Sequence, residues 1–531
     1  MRDCDVADVV FAGRVRRSGW WPVALVALAG VSTGCQAPVR EPATTAAPRP
    51  ATPAPVTLTL LYTADEHGWI APAVDKGRAR GGAAAMLGRW RRDEGHCVPA
   101  PGETCEGSST IALSGGDNWT GPALSSYFQG ASAAEVMGKL GYAASAVGNH
   151  ELDFGRAVFD RNASAQGIPY LAANVEPGLD EGGVGRPFVM VRRRGVNVAV
   201  IGLSTQHTPE SGMRDNYKGL RFKSEEQALE RYVPAAYEAG ADAVVTIGHV
   251  CAEDLRPIVA HHGEWHLAMA GGGHCHRAAL DQVFTTPIVE PGAFLKSYAR
   301  ITVTIDPARA RGQRVIQSRA ELVDLTYPEG SAPPAPPDPT VAAVVAGWQQ
   351  KTDQALGEVI GHTDEPLEPD TPPLTNFLTD RWREEYKADA VILNRYGTRQ
   401  ALGPGQLTLG SIYSVLPFDN KLVTVHLTGK QLMHDVRCCG GHVSGLRESK
   451  GGELQFFDGR AIDPAARYTV VVTDYTYFGG SGFPFEKQDP NGVFGEDWRP
   501  SLIRWLKQHP TAPGRGLDKL VDREPRLRTS K

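Results

Sequence analysis

The chain has 531 residues, of which 41% are hydrophobic and 22% charged, and its formal net charge is -5. That length exceeds what one hydrophobic core serves, so two folded domains plus extensions are expected, with the composition of an ordinary soluble globular protein. The acidic balance leaves no basic footprint and argues against a nucleic-acid polymer as partner, whereas a small anionic substrate stays open because bound cations supply their own positive field.

At the N-terminus, Arg14, Arg16 and Arg17 precede an apolar run over residues 20–30 that no acidic residue interrupts. The run is too short to span a bilayer and suits the core of a secretory signal. Ser32-Thr33-Gly34-Cys35 comes next and resembles a bacterial lipobox, in which the cysteine is lipidated and becomes the new N-terminus. Ser32 stands where Leu or Val is usual, and plain secretion with an incidental Cys35 is the alternative. Residues 1–34 thus read as a lipoprotein-type signal and residues 35–56, rich in Pro, Ala and Thr, as an extended tether. The expectation is an exported protein, anchored through lipid on Cys35 and facing the periplasm or the cell exterior. No later segment is long and apolar enough to span a membrane.

Structure begins with a β-branched, apolar strand at 56–62. Short apolar runs at 111–113, 146–147, 170–171, 196–203, 243–247 and 267–270 then alternate with helical stretches. Several are apolar almost throughout, as strands covered on both faces are, and the alternation argues for a layered α/β domain over 57–327. A Pro-rich break at 328–339 leads into a helix expected over 340–360, with Val341, Val344, Val345, Trp348 and Leu356 on one face. A second mixed domain occupies 361–525.

Eight cysteines fit an oxidising compartment. Cys4 leaves with the signal. Cys97 and Cys105 flank a Pro/Gly-rich insertion and are expected to be bridged. Cys251 and Cys275, each beside a candidate metal-binding histidine, either bridge or stay as buried thiols. Cys438 and Cys439 are adjacent, a pair that rarely bonds to itself.

The chemistry is carried by residues at the carboxyl ends of the strands. Asp65-Glu66-His67-Gly68 comes after the first strand, Gly115-Gly116-Asp117-Asn118 after the second and Gly148-Asn149-His150-Glu151 after the third. Gly248-His249 ends the run at 243–247, and Gly273-His274-Cys275-His276 comes after 267–270. In α/β sheets the carboxyl ends of the strands line the binding crevice, and glycine admits tight turns and close approach. One such motif means little; five strand ends delivering compatible ligand types point to a metal centre. If a helical turn starts at Asn149, His150 and Asp153 share a face, and the aspartate would orient the histidine and raise its pKa.

This ordered set resembles the calcineurin-like metallophosphoesterases, and with the downstream domain it resembles their 5′-nucleotidase and UDP-sugar hydrolase branch. The resemblance implies a four-layer β-sandwich flanked by helices, followed by a smaller α+β nucleotide-binding domain. It implies two divalent metal ions (Zn, Mn or Fe), one held by Asp65, His67 and His276 and the other by Asn149, His249 and His274, with Asp117 bridging. It also gives His150 and Asp153 a catalytic role, while Glu151 is taken as supporting or structural. Two dications against two ligand carboxylates leave the site cationic, which attracts phosphate and acidifies bound water.

In the second domain, Phe418 and Phe483 stand where this branch carries a pair of base-stacking phenylalanines, and stacking is worth about 1–3 kcal/mol per base. Asn394 and Arg399 match the ends of the branch's Asn-Gly-Gly-Gly-x-Arg loop as nucleotide contacts, but Arg395 and Tyr396 replace two glycines. The stretch 364–370 is acidic where some relatives place a further arginine. The implied activity is hydrolysis of a nucleotide or nucleotide sugar by metal-activated hydroxide, with closure between the two domains. A cyclic-nucleotide phosphodiesterase or sulfur-compound hydrolase of the same architecture, and a non-catalytic surface binding lipoprotein, are the alternatives.

Overall fold

The computed structural model describes residues 54–100 and 102–528, so Cys4, Cys35, the signal and nearly all of the tether lie outside the described residues. Two six-stranded sheets form the first domain. The first runs in the order Val315–Asp324, Ser297–Ile305, Val56–Thr63, Thr110–Ser114, Tyr142–Ala146, Tyr170–Leu171. Its last four strands are mutually parallel, and the first two are antiparallel. The second sheet runs Ala278–Val283, Thr286–Pro291, Met269–Gly271, Ala243–His249, Val196–Ser204, Phe188–Arg193, with four parallel central strands between antiparallel edges.

The inner faces of the two sheets close on one another through a shared core that includes Leu58, Leu60, Ile111, Val200, Val245 and Ile301. On the outer face of the first sheet, Leu61 and Ala112 pack with Trp90, Met86 and Leu87 of the helix Gly82–Glu94. On the outer face of the second, Ala199, Ile201 and Val244 pack with Leu229 and Val233 of Glu225–Glu238. The result is the expected helix–sheet–sheet–helix layering. It explains the runs at Val196–Ser204 and Ala243–His249, buried at almost every position because both faces are covered.

The helix expected over 340–360 is shorter. It spans Pro339–Leu356, started by Asp338, whose carboxylate accepts the Thr340 and Val341 amides at 3.0 Å. Gly357 ends it, and Val359–Thr363 instead pairs as a strand with Gly405–Thr408. Val341 and Val345 join the core of the first domain, so this helix is built into that domain.

The second domain centres on a five-stranded sheet in the order His442–Ser444, Ala390–Leu393, Arg467–Thr473, Lys421–Thr428, Val493–Asp497. One face packs on Pro372–Tyr386 and Pro500–Gln508, through residues such as Phe377, Trp382 and Leu502. The other packs on Gly429–Cys438, through Leu432 and Val436.

Cys97 and Cys105 are bridged as expected, and Cys251 bonds Cys275. Cys438 and Cys439, expected to stay apart, are joined to each other. The helix Gly429–Cys438 ends between them, which frees the pair from helical geometry, where neighbouring side chains diverge by about 100°.

Trp90 anchors the first outer core, fully buried with its ring edge-on to Tyr142 at 5.7 Å and Tyr298 at 5.9 Å. Trp90→Ala is expected to cost about 3–5 kcal/mol. Equilibrium urea unfolding should show this as a lower midpoint with an unchanged slope.

Candidate metal centre and adjoining cavity

All five ligand-bearing motifs emerge at one end of the two sheets. Asp65 and His67 follow Val56–Thr63, Asp117 follows Thr110–Ser114 and Asn149 follows Tyr142–Ala146. His249 is the last residue of Ala243–His249, and His274 and His276 follow Met269–Gly271. Because strands from both sheets point their carboxyl ends the same way, seven side chains from distant sequence meet.

The donor atoms have metal-ligand spacing. A cation about 2.0–2.2 Å from each donor places neighbouring donors about 3.0–3.4 Å apart. His67 Nε2 lies 3.0 Å from His276 Nε2, and His276 Nε2 lies 3.4 Å from an Asp65 oxygen. His249 Nε2 lies 3.0 Å from the Asn149 carbonyl oxygen and 3.2 Å from His274 Nδ1. Asp117 Oδ2 is 3.0 Å from His249 and 3.6 Å from His67, between the two groups.

Tautomers support the same reading. His67 Nδ1 meets the Thr120 carbonyl at 2.7 Å and His249 Nδ1 meets the Gly115 carbonyl at 3.1 Å. Each carbonyl accepts an Nδ1–H and leaves the Nε2 lone pair aimed into the cluster, the second-sphere arrangement of metal-binding histidines. Burial lowers the pKa of His67, and burial with the neighbouring His249 brings His274 down to about 4, so both are neutral imidazoles suited to ligation. Burial alone would also lower His249, but the Asp117 carboxylate outweighs it and raises that imidazole to about 10. Asp65, His67 and His276 on one side, and Asp65, Asp117 and His249 on the other, form compact groups able to hold metal ions.

Holding these ligands strains the backbone. Asp65, His67, Asp117, His274 and His276 all have positive φ, between 45° and 74°. For residues other than glycine the left-handed region costs about 1–2 kcal/mol each. Two devices hold the conformation. Glu151, fully buried, accepts the Asp117 amide at 2.9 Å and the Gly148 amide at 2.6 Å on one oxygen, and the Asn118 amide at 2.7 Å on the other. The Cys251–Cys275 disulfide joins the loop after His249 to the loop that carries His274 and His276.

His150 Nδ1 lies 2.7 Å from Asp153 Oδ2, within a turn that begins at His150. Burial would lower this imidazole, but Asp153 and Asp117 raise it above its ordinary value.

The centre opens into a cavity of about 520 Å³ bounded by both domains. Asn394 and Arg399 line it from the loop after Ala390–Leu393, and Phe418 from the segment before Lys421–Thr428. Phe418 lies over His150, with ring centroids 5.5 Å apart and planes 24° apart, and the Arg399 guanidinium lies 5.5 Å from the Phe418 ring. Phe483 is a correction. It is buried in the second domain's core, stacked on Phe485 at 4.9 Å, and does not reach the cavity. The chain reverses through Gly479, Ser481 and Gly482, all at positive φ, and this turns Phe483 inward. Tyr475 provides the aromatic lining instead, its hydroxyl donating to the Glu210 carbonyl at 3.1 Å.

Three of the four acidic side chains in the stretch 364–370 are engaged within the fold. Asp364 accepts the Gly514 amide at 3.0 Å, Glu365 pairs with Arg523 at 2.9 Å, and Asp370 accepts the Tyr396 amide at 3.0 Å. Sequence reading also missed Phe294, whose ring borders His67 at 5.7 Å and His276 at 5.2 Å, and the wall of the cavity contributed by Ser211, Gly212 and Met213. Neither has a motif: both are neighbours only through the fold.

Comparison with known proteins agrees with this architecture. The 5′-nucleotidase C-terminal domain family matches residues 359–488. Protein UshA of Escherichia coli is 22% identical over 510 residues, covering 82% of this chain and 88% of UshA. Endonuclease YhcR of Bacillus subtilis is 24% identical over 447 residues, 76% of this chain, which spans only 36% of that longer protein. The crystal structure of a 5′-nucleotidase precursor from Thermus thermophilus superposes with a TM-score of 0.73 at 21% identity, covering 89% of this chain and 99% of that one.

A side chain at Gly148 would fall on the Asp117 carboxylate and on Glu151. Gly148→Ala is therefore expected to weaken divalent-metal retention ~10–100-fold with secondary structure intact. Elemental analysis after desalting, alongside circular dichroism, checks this.

Proposed function

We propose that this chain, which belongs to the 5′-nucleotidase family, is a metal-dependent phosphoesterase that hydrolyses nucleotides or nucleotide sugars outside the cytoplasm. The observation that carries the reading is the convergence of seven ligand-type side chains on one end of the paired sheets, at donor separations of 3.0–3.6 Å, beside a cavity that the second domain completes.

Asp65, His67 and His276 would hold one divalent cation and Asn149, His249 and His274 a second, with Asp117 between them. Bound there, the pair would supply a hydroxide nucleophile near neutral pH and polarise the phosphoryl oxygens. The protein's own groups do the rest. Asp153 fixes the His150 ring through Nδ1 and favours the imidazolium, so the Nε2–H of His150 can donate to a phosphoryl or leaving oxygen as charge develops. Arg399 adds a fixed positive charge to the same cavity, and burial is the main influence on its guanidinium. Phe418 and Tyr475 offer aromatic surface for a base, while Asn394 offers an amide. Contacts between the domains, such as the Arg214–Glu486 pair at 3.0 Å and the Ala123 amide to Ser414 Oγ at 3.0 Å, keep the aromatic wall against the centre.

Export is supported by the N-terminal charge-then-apolar pattern and by three disulfides among the described residues, since such bonds persist in oxidising compartments. Lipid attachment at Cys35 is part of the same proposal.

Phosphate release from nucleoside monophosphates, nucleotide sugars and a base-free aryl phosphate, with Mn or Zn added, tests the assignment. The native protein should turn over at least one nucleotide class and Asp117→Ala none; activity that survives this substitution would contradict the mechanism. Phe418→Ala should raise KM for nucleotides about tenfold, within the about 1–3 kcal/mol of a stacked base. It should leave KM for the aryl phosphate within about twofold, because that substrate makes no base contact.

A further inference from the structure

The hairpin of Ala73–Asp75 and Arg78–Arg80 pairs along Thr326–Pro328. Beside it lies a second cavity of about 490 Å³, which shares no lining residue with the one at the metal centre. Arg80 lines this cavity and is only 4% exposed. Its guanidinium lies 3.8 Å from the centre of the Trp69 ring, and its Nε is sealed from solvent without a hydrogen-bond partner. Beyond its backbone ladder pairing, the Arg80 side chain forms no hydrogen bond or ion pair among the described residues.

That is an unusual place to leave a cation. Burying a guanidinium is costly unless an anion or a set of acceptors compensates, and cation–π contact with Trp69 replaces only part of its hydration. Burial has already drawn the group down to about 10. The two carboxylates that line the cavity are committed elsewhere: Asp75 to Lys296 at 2.9 Å and Asp324 to Arg78 at 2.8 Å. Counting the lining charges, Lys76, Arg78, Arg80 and Lys296 against Asp75 and Asp324 leave two positive charges in excess.

We propose that this cavity is a second oxyanion site, in which Arg80 at the base and Lys76 and Lys296 beside it bind a phosphate-sized dianion. An arginine fork presents paired N–H groups that match two oxygens of such an ion, and a dianion matches the local excess of charge. Two aromatic rings lie between Arg80 and the metal centre. Trp69 contacts Phe294 at 5.6 Å, and Phe294 in turn borders His67 and His276. Orthophosphate, the product of the proposed reaction, has the required charge and size, although occupancy does not depend on that reaction.

Calorimetric titration of chelator-treated full-length protein with orthophosphate at low ionic strength tests the proposal without the metals. Saturable binding is expected, weakened at least tenfold by Arg80→Met and severalfold by the rim double variant Lys76→Met/Lys296→Met, yet unchanged by Arg399→Met in the other cavity. If Arg80→Met does not fold, as judged by circular dichroism, the rim variant decides. No saturable binding, binding indifferent to the rim variant, or binding lost with Arg399→Met would overturn the assignment and leave Arg80 a structural partner of Trp69.

Discussion

Glu151 is the constraint on which the site turns. Its buried carboxylate receives three amides, from Asp117, Asn118 and Gly148, and so ties the loop after the second strand to the loop after the third. Leaving such amides without an acceptor in the interior would cost about 1–3 kcal/mol each. The clamp therefore offsets the left-handed backbone at Asp117 and sets the distance between Asp117 and Asn149. His150 is drawn in by the same geometry, since its amide donates to Asp117 Oδ1 at 2.8 Å. Burial and the Asp117 charge raise the Glu151 pKa, so it is sensitive to whatever charge occupies the neighbouring pocket.

A second layer of restraint works at the other sheet. Asp65 accepts the His274 amide through both oxygens, at 3.0 and 3.1 Å, while the Cys251–Cys275 bond fixes the same loop from behind. Ligands from the two sheets are thus joined by backbone contacts before any cation is considered. Such preorganisation lowers the cost of gathering charged and polar groups at one point.

Much of this was legible in the sequence for a physical reason. Strand ends flanked by glycine carry Asp, Asn and His, and a parallel sheet delivers such ends to one edge, so Asp65, Asp117, Asn149 and His249 could be read from order and chemistry. Glu151 could be read as a supporting residue, but not as a clamp between two loops, because two of its partners are backbone amides 34 and 33 residues away and amides leave no mark in sequence. The mostly exposed edge strand Ala278–Val283 was missed because Asp281 and Gln282 break its short apolar stretch, and Ser297–Ile305 because it alternates rather than forming an apolar run. Phe483 and Tyr475 lie in one aromatic, glycine-rich segment, where the turn at Ser481 decides which ring faces the cavity and which the core. The departure at Arg395 and Tyr396 becomes intelligible only with Asp370 in view, since that carboxylate holds the Tyr396 amide and shapes the loop carrying Asn394 and Arg399.

If these seven side chains grip a pair of cations, anomalous diffraction from crystals grown with Mn shows it directly. Two peaks about 3.5–4 Å apart are predicted, one among Asp65, His67 and His276, the other among Asn149, His249 and His274, with Asp117 reaching both. A single peak bound elsewhere, or none in this pocket at saturating metal, would rule out a two-metal centre built from these residues.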